Sequence, residues 1–184
     1  MSCTATKNRE LMECYCAGTK REQSKIIFEE CKLMLRNSPL SLKFDIRANK
    51  IIHKKTKSFI TPLSKEDGKS GDGTNCGVLV LDEYHQHKTT EFYDLFLGAN
   101  AKESILMIIT TAGMDLTYPC FTQEYQYASD ILFGKEFNEE YFTDILEIDE
   151  EDDYYDFNCW YKANPVRMTY PEGIEKIPSS LRLT

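Results

Sequence analysis

The first residues whose types and spacing could do chemistry are two acids at the end of an apolar run. Val78-Leu79-Val80-Leu81 passes directly into Asp82 and Glu83. An unbroken aliphatic run of this kind reads as a parallel strand buried on both faces. Ligands of parallel α/β sheets bind beyond the carboxyl ends of the strands, so the two carboxylates stand where a magnesium-bound nucleotide would sit. Asp82 would hold the ion, largely through water, because magnesium keeps much of its hydration shell. Glu83 would orient and deprotonate an attacking water, since phosphoryl transfer asks a protein mainly for positioning and charge stabilisation. Taken alone, the pattern fits equally well an ordinary strand end that enters solvent.

A second run decides between the two readings. Ile105-Leu106-Met107-Ile108-Ile109 closes in Thr110-Thr111-Ala112-Gly113. It follows the first run by one strand, helix and strand unit, which is a right-handed crossover. Both strand ends therefore belong on one sheet edge. Thr110 and Thr111 could sense a γ-phosphate or its attacking water there, and Gly113 offers a hinge through which loss of the phosphate is passed on.

Other patterns fail on their chemistry. Gly68-Lys69-Ser70 resembles the end of a phosphate loop, but G-x-x-x-x-G-K-[ST] needs a glycine where Leu63 stands, and Gly71-Asp72-Gly73 occupies the place of the following helix. Gly18-Thr19-Lys20 would need glycine at Glu13. His85 and His87 lack a third ligand at helical spacing, so a zinc site is disfavoured. The acidic run from Asp149 to Asp156 suggests a two-metal site only superficially, because consecutive like charges usually mark a solvated segment.

The elements that must position the acids and hydroxyls follow from periodicity. Met12 to Ala17 alternates as a strand and runs into a helix start at Gly18-Thr19, where Thr19 and Glu22 fit a capping box. Ile27, Cys31 and Met34 share one helical face, and the helix stops near Ser38-Pro39. From Lys43 to Leu63 short β-like pieces, Phe44-Asp45-Ile46 and Ser58-Phe59-Ile60, surround Asn49-Lys50 and a basic patch at His53-Lys54-Lys55, which predicts a small antiparallel insertion. Ser64 to Asn75 is a surface loop by composition. A helix is expected from Thr90 to Leu97, ending at Gly98. Another is expected from about Pro119 to Phe133, with Pro119 in the first turn and Gly134 as C-terminal cap. Tyr141 to Ile148 reads as a further strand, Trp160 as the aromatic anchor of a turn or linker, and the stretch after Pro165 as loosely ordered.

The 184 residues have a net charge of -8 and 41% hydrophobic content, which suits one folded core and excludes an autonomous nucleic-acid binder with a basic face. The seven cysteines lack paired C-x-x-C spacing and read as reduced thiols acting as small hydrophobes. No apolar run approaches the length of a membrane helix and no signal segment is evident, so a cytoplasmic protein is expected.

In this order the pieces resemble the large terminase subunit of tailed phages and prophages. The resemblance is carried by Cys16-Ala17-Gly18-Thr19-Lys20-Arg21-Glu22-Gln23, Gly71-Asp72-Gly73-Thr74-Asn75, Leu81-Asp82-Glu83-Tyr84-His85-Gln86-His87-Lys88, Thr110-Thr111-Ala112-Gly113 and Trp160-Tyr161-Lys162-Ala163-Asn164-Pro165. That family hydrolyses ATP to drive viral DNA into a procapsid and cuts the concatemer with a C-terminal nuclease domain. The resemblance implies a mostly parallel α/β sheet flanked by helices, P-loop NTPase-like but lacking the Walker A strand, with a small antiparallel insertion. It implies Walker B roles for Asp82 (magnesium) and Glu83 (catalysis), catalytic hydroxyls at Thr110 and Thr111, and a coupling motif running through Ala112 and Gly113. It also implies ATP and Mg2+ as cofactors. Double-stranded DNA, a portal protein and a small terminase subunit would be the partners, with a homo-oligomeric ring and no membrane. A basic residue acting across ring subunits would come from Arg21, Lys65 or Lys69. Residues 1–148 would form a partial ATPase domain, and residues 149–184 an acidic linker toward a nuclease domain, of which no catalytic residue is found here. The missing Walker A sequence predicts a truncated or split gene whose other part supplies that strand. The alternatives are a non-catalytic remnant or interaction protein with the same fold, and a helicase-like ATPase, against which the Trp160 to Pro165 segment argues.

Overall fold

A computed structural model of the chain describes residues 10–64, 75–98 and 104–175. It forms two compact units, Met1–Tyr125 and Gln126–Thr184. Among the described residues no helix is long and apolar enough to cross a membrane.

The first unit is built on a six-stranded mixed sheet in the order β2-β3-β4-β1-β5-β6. Its strands are β1 (Glu13–Gly18), β2 (Phe44–Ile46), β3 (Ile51–His53), β4 (Phe59–Ser64), β5 (Cys76–Asp82) and β6 (Ile105–Ile109). β1 lies parallel between β4 and β5, and β6 runs parallel to β5. β2 and β3 form an antiparallel hairpin, closed by the Arg47 N–H on the Lys50 carbonyl, and β3 joins β4 antiparallel. The mostly parallel sheet and the small antiparallel insertion agree with expectation. The insertion differs in detail. Ile51–His53 is a strand in its own right, and the Ser58 to Ile60 piece opens a strand of the main sheet. His53 is buried against Thr56 and Phe44 and is not part of a basic surface.

Helix α1 (Arg21–Arg36) covers one face of the sheet. Phe28 and Leu35 pack there with Cys14, Cys16, Val78 and Val80. Of the expected face, Ile27 and Cys31 pack against this core beside Phe28 and Leu35, whereas Met34 is exposed. The start also differs. Lys20 is the N-cap residue, and Gln23, not Glu22, closes the first turn by accepting the Lys20 N–H (3.3 Å) and the Thr19 hydroxyl (2.7 Å). Helix α2 (Glu91–Leu97) covers the other face, where Phe92 and Leu95 pack with Tyr15, Ala17, Leu79 and Leu81. Cys14, Cys16 and Cys76 are buried thiols, and burial pushes them up to about 11, 12 and 12.

β6 departs from the expected central strand. Among the described residues it forms the sheet edge, and Ile105, Met107 and Ile109 are 51%, 51% and 44% exposed. In register they follow Val78, Val80 and Asp82, so they lie on the α1 face, beyond the reach of α1 itself. Leu106 and Ile108 on the opposite face pack into the α2 core.

The expected helix from Pro119 to Phe133 begins as a π-helical segment, Cys120–Tyr125, within the first unit. The second unit opens with α3 (Gln126–Leu132), followed by Gly134 at φ 69°, the left-handed cap that glycine favours. Tyr141 to Ile148 has no regular structure, which corrects the predicted strand. Further on, α4 (Phe157–Ala163) forms where a turn or linker around Trp160 was expected, and after Pro165, where loose order was expected, the described residues form a 3-10 turn at Arg167–Thr169 and α5 (Pro171–Glu175). Asp156 caps α4 through the Asn158 N–H (2.9 Å), and Trp160 donates its indole N–H to the Tyr154 carbonyl (2.7 Å). Lys162 draws in Asp149 and Asp152 from the acidic run, and its hydrogen bond holds the Asp152 carboxyl below the usual range.

Candidate functional site

β5 and β6 end side by side because their register pairs Asp82 with Ile109. Residues 83 to 87 on one strand end and 110 to 113 on the other therefore meet at one rim. The turn after β5 is sharp. Glu83 adopts the left-handed conformation, with φ 49° and ψ 48°, and a 3-10 turn follows at Tyr84–Gln86. Tyr84 drives this turn, being buried with Leu79, Leu81 and Phe92. Anchoring Tyr84 inward swings Glu83 and His85 to the rim. A left-handed conformation is costly for a residue with a Cβ, and such residues concentrate at functional sites.

The rim is linked by hydrogen bonds. The Thr111 hydroxyl lies 3.4 Å from Glu83 Oε2, and His85 Nδ1 lies 3.2 Å from the same oxygen. Thr110 Oγ1 accepts the His85 backbone N–H at 2.9 Å and stands 3.1 Å from His85 Nδ1. The Thr110 hydroxyl donates to the Thr111 carbonyl at 3.0 Å, and the Cys120 thiol approaches it at 4.0 Å. Asp82 Oδ1 accepts the Glu83 N–H at 3.1 Å. The Glu83 side chain is 38% exposed, so the carboxylate has access to a ligand at the rim. Gly113 passes so close to His85 that a Cβ on it would lie 2.9 Å from the His85 Cβ. Its backbone thus serves close approach as well as any hinge.

β1 ends at the same edge, because Ala17 pairs with Leu81. Gln23, at the start of α1, donates to Gln86 Oε1 at 2.9 Å, joining the turn after β1 to the turn after β5. Neither glutamine was singled out from sequence, and only their places, each just past a strand end, could have suggested it. Of the predicted site residues the structure brings together Asp82, Glu83, Thr110, Thr111 and Gly113. Ala112 lies between the last two along the chain. Arg21 begins α1, while Lys65 and Lys69, with the glycines of Gly68 to Gly73, lie outside the described residues.

Comparison with known proteins follows the same outline. The model of the family described as "Terminase large subunit, ATPase domain" matches residues 7–130. Protein YmfN of Escherichia coli (strain K12) is 37% identical over 105 residues, which are 56% of this chain and 23% of that protein. The crystal structure of the HK97 bacteriophage large terminase superposes with a TM-score of 0.68 at 21% identity, covering 85% of this chain and 33% of that one. At that identity the likeness is one of fold. The chain spans about a quarter of the length of the first of these proteins and a third of the second.

Proposed function

The chain belongs to the terminase large-subunit family through its ATPase domain, and on that premise we propose that it forms the Walker B and coupling half of an ATP-driven DNA-packaging motor. The observation that carries this reading is the 3.4 Å approach of Thr111 to Glu83 across two adjacent parallel strand ends. A catalytic carboxylate and a phosphate-sensing hydroxyl need that proximity, and a mere solvent-facing strand end does not.

In this reading Glu83 orients the attacking water and accepts its proton. Both protein contacts fall on Oε2, which leaves Oε1 for that water. Thr110 and Thr111 sense the γ-phosphate, and Ala112 and Gly113 pass its loss to the chain beyond. Asp82, one carboxylate at the rim, fits a magnesium ion that retains most of its waters, and the ion would supply charge neutralisation for the phosphates. Family membership supports ATP as the nucleotide, with double-stranded DNA, a portal protein and a small terminase subunit as partners and a ring as the assembly. Residues 149–184 would lead toward the nuclease part of such a protein. The basic residue acting between subunits would come from Arg21, Lys65 or Lys69.

A phosphate loop preceding the equivalent of β1 would have one favoured place on this sheet. β1, α1 and β4 form a crossover running away from β6 with its helix on the α1 face, whereas β5, α2 and β6 run the other way with the helix on the opposite face. Right-handed connection is nearly universal in such units. A strand added outside β6 and returning to β1 would run in the first direction, so its helix would lie on the α1 face. That face is where Ile105, Met107 and Ile109 stand exposed.

The test is complementation. The chain alone should show no tight magnesium-dependent ATP binding, and adding the strand, phosphate loop and helix that precede the equivalent of β1 in a terminase relative should restore binding and turnover. Glu83→Gln should then keep binding and lose turnover. Tight binding by the chain alone would refute the division of the site, and binding without Glu83-dependent turnover would favour a non-catalytic remnant.

A further inference from the structure

The His85 side chain reaches Glu83 on one strand end and Thr110 on the other, and the atoms around it bear on where its proton sits. Thr110 has a single hydroxyl proton, and its oxygen is placed to donate it to the Thr111 carbonyl at 3.0 Å. Toward His85 the Thr110 oxygen can therefore only accept, and it already takes the His85 backbone N–H at 2.9 Å. His85 Nδ1 stands 3.1 Å from this oxygen and 3.2 Å from Glu83 Oε2. An ionised carboxylate also only accepts. With two acceptors before it, Nδ1 is placed to carry a hydrogen shared between them.

We propose that His85 is a positioning residue whose Nδ1–H ties Glu83 to Thr110, so that the carboxylate and the hydroxyl strand end move as one hydrogen-bonded unit. The inference rests on the reading of Glu83 as the base that handles water, and it adds the group that holds it. The tie has three independent supports. The imidazole reaches both partners, the His85 amide fastens the backbone to the same Thr110 oxygen, and Gly113 lets the second strand end pass against the His85 Cβ. A displacement of Thr110 would then be carried to Glu83 through the ring, although the Thr111 contact to Glu83 is the longer one at 3.4 Å. In this arrangement Oε2 is held by the protein.

The experiment needs no nucleotide and uses the chain as it stands. Two-bond nitrogen–proton spectra near pH 8, where imidazole is ordinarily neutral, report which ring nitrogen holds the proton. His85 should be found mainly in the Nδ1–H form. Glu83→Ala should return it toward the Nε2–H form that free imidazole favours, and Glu83→Gln, which still offers an oxygen acceptor, should not. The carboxyl carbon resonance of Glu83 should move in Thr110→Val and in His85→Ala, and should stay near its original position in His85→Asn, whose amide can donate from a similar place. Unchanged His53 signals identify variants that remain folded. A predominantly Nε2–H ring in the unaltered chain, or a Glu83 resonance indifferent to Thr110→Val, would overturn the proposal. Either result would leave the assignment of Glu83 as the base to be judged by turnover in the complemented protein.

Discussion

Replacing Glu83 by glycine and by alanine separates backbone strain from side-chain chemistry at the rim. Glu83 sits at φ 49° and ψ 48°, where a residue with a Cβ gives up roughly 1–2 kcal/mol relative to the right-handed region. Both variants lose the contacts to Thr111 and His85. Because the side chain is 38% exposed, those contacts together contribute at most about 1 kcal/mol. Alanine keeps the backbone cost. Glycine removes it, but loses about 0.5–1 kcal/mol through the greater freedom of its unfolded chain. The difference leaves Glu83→Gly more stable than Glu83→Ala by about 0.5–1 kcal/mol. With an m-value of about 2 kcal/mol/M this is a separation of about 0.3–0.5 M in the urea midpoint, read by far-ultraviolet circular dichroism. Both variants should be equally inactive in the complemented ATPase, since neither carries a carboxylate. A glycine variant no more stable than the alanine variant would show that the turn imposes no strain at this position. It would also remove the argument that the chain retains a costly conformation for the sake of function.

Three further outcomes follow from the geometry. Gly113→Ala, which would place a Cβ 2.9 Å from the His85 Cβ, should cost roughly 1–3 kcal/mol and shift the His85 ring resonances; unchanged resonances would refute the close approach. His53 is held below its ordinary value, first by burial and then by Lys43 and Lys55. The unfolded chain therefore takes up its proton at higher pH than the folded one, so this contribution is complete above about pH 6.5 and is lost as the pH falls through the lower folded value. Urea midpoints should drop across that window and drop less in His53→Gln; equal slopes would contradict it. Cys14, Cys16 and Cys76, with thiols pushed up to about 11, 12 and 12 by burial, should resist alkylation near pH 8 in the folded chain and react in concentrated guanidinium, as followed by mass spectrometry.

The sequence spelled out the strands that carry the site, because aliphatic runs ending in Asp82-Glu83 and Thr110-Thr111 have few ways to fold other than as neighbouring parallel strands. What covers a strand is less legible. Ile105 to Ile109 looks as buried as Val78 to Leu81 in sequence, but an apolar run cannot say whether a neighbour is present, and Ile105, Met107 and Ile109 are exposed. Local alternation misled at Tyr141 to Ile148, where no strand forms. At the start of α1 the capping partner was off by one residue, because both Glu22 and Gln23 can reach back and only tertiary contact with Gln86 favours the latter. The left-handed Glu83 was invisible, since the cause is Tyr84 turning into the core.

The bare flank of β6 bears on how such a protein comes into being. An edge strand with three exposed apolar side chains, as β6 is among the described residues, is an adhesive template during synthesis onto which an extended segment can zip. A strand that pairs there would protect this edge best if it arrives early or is kept close by. A charged residue installed on the outer edge of β6 should raise the yield of dispersed material for that reason alone.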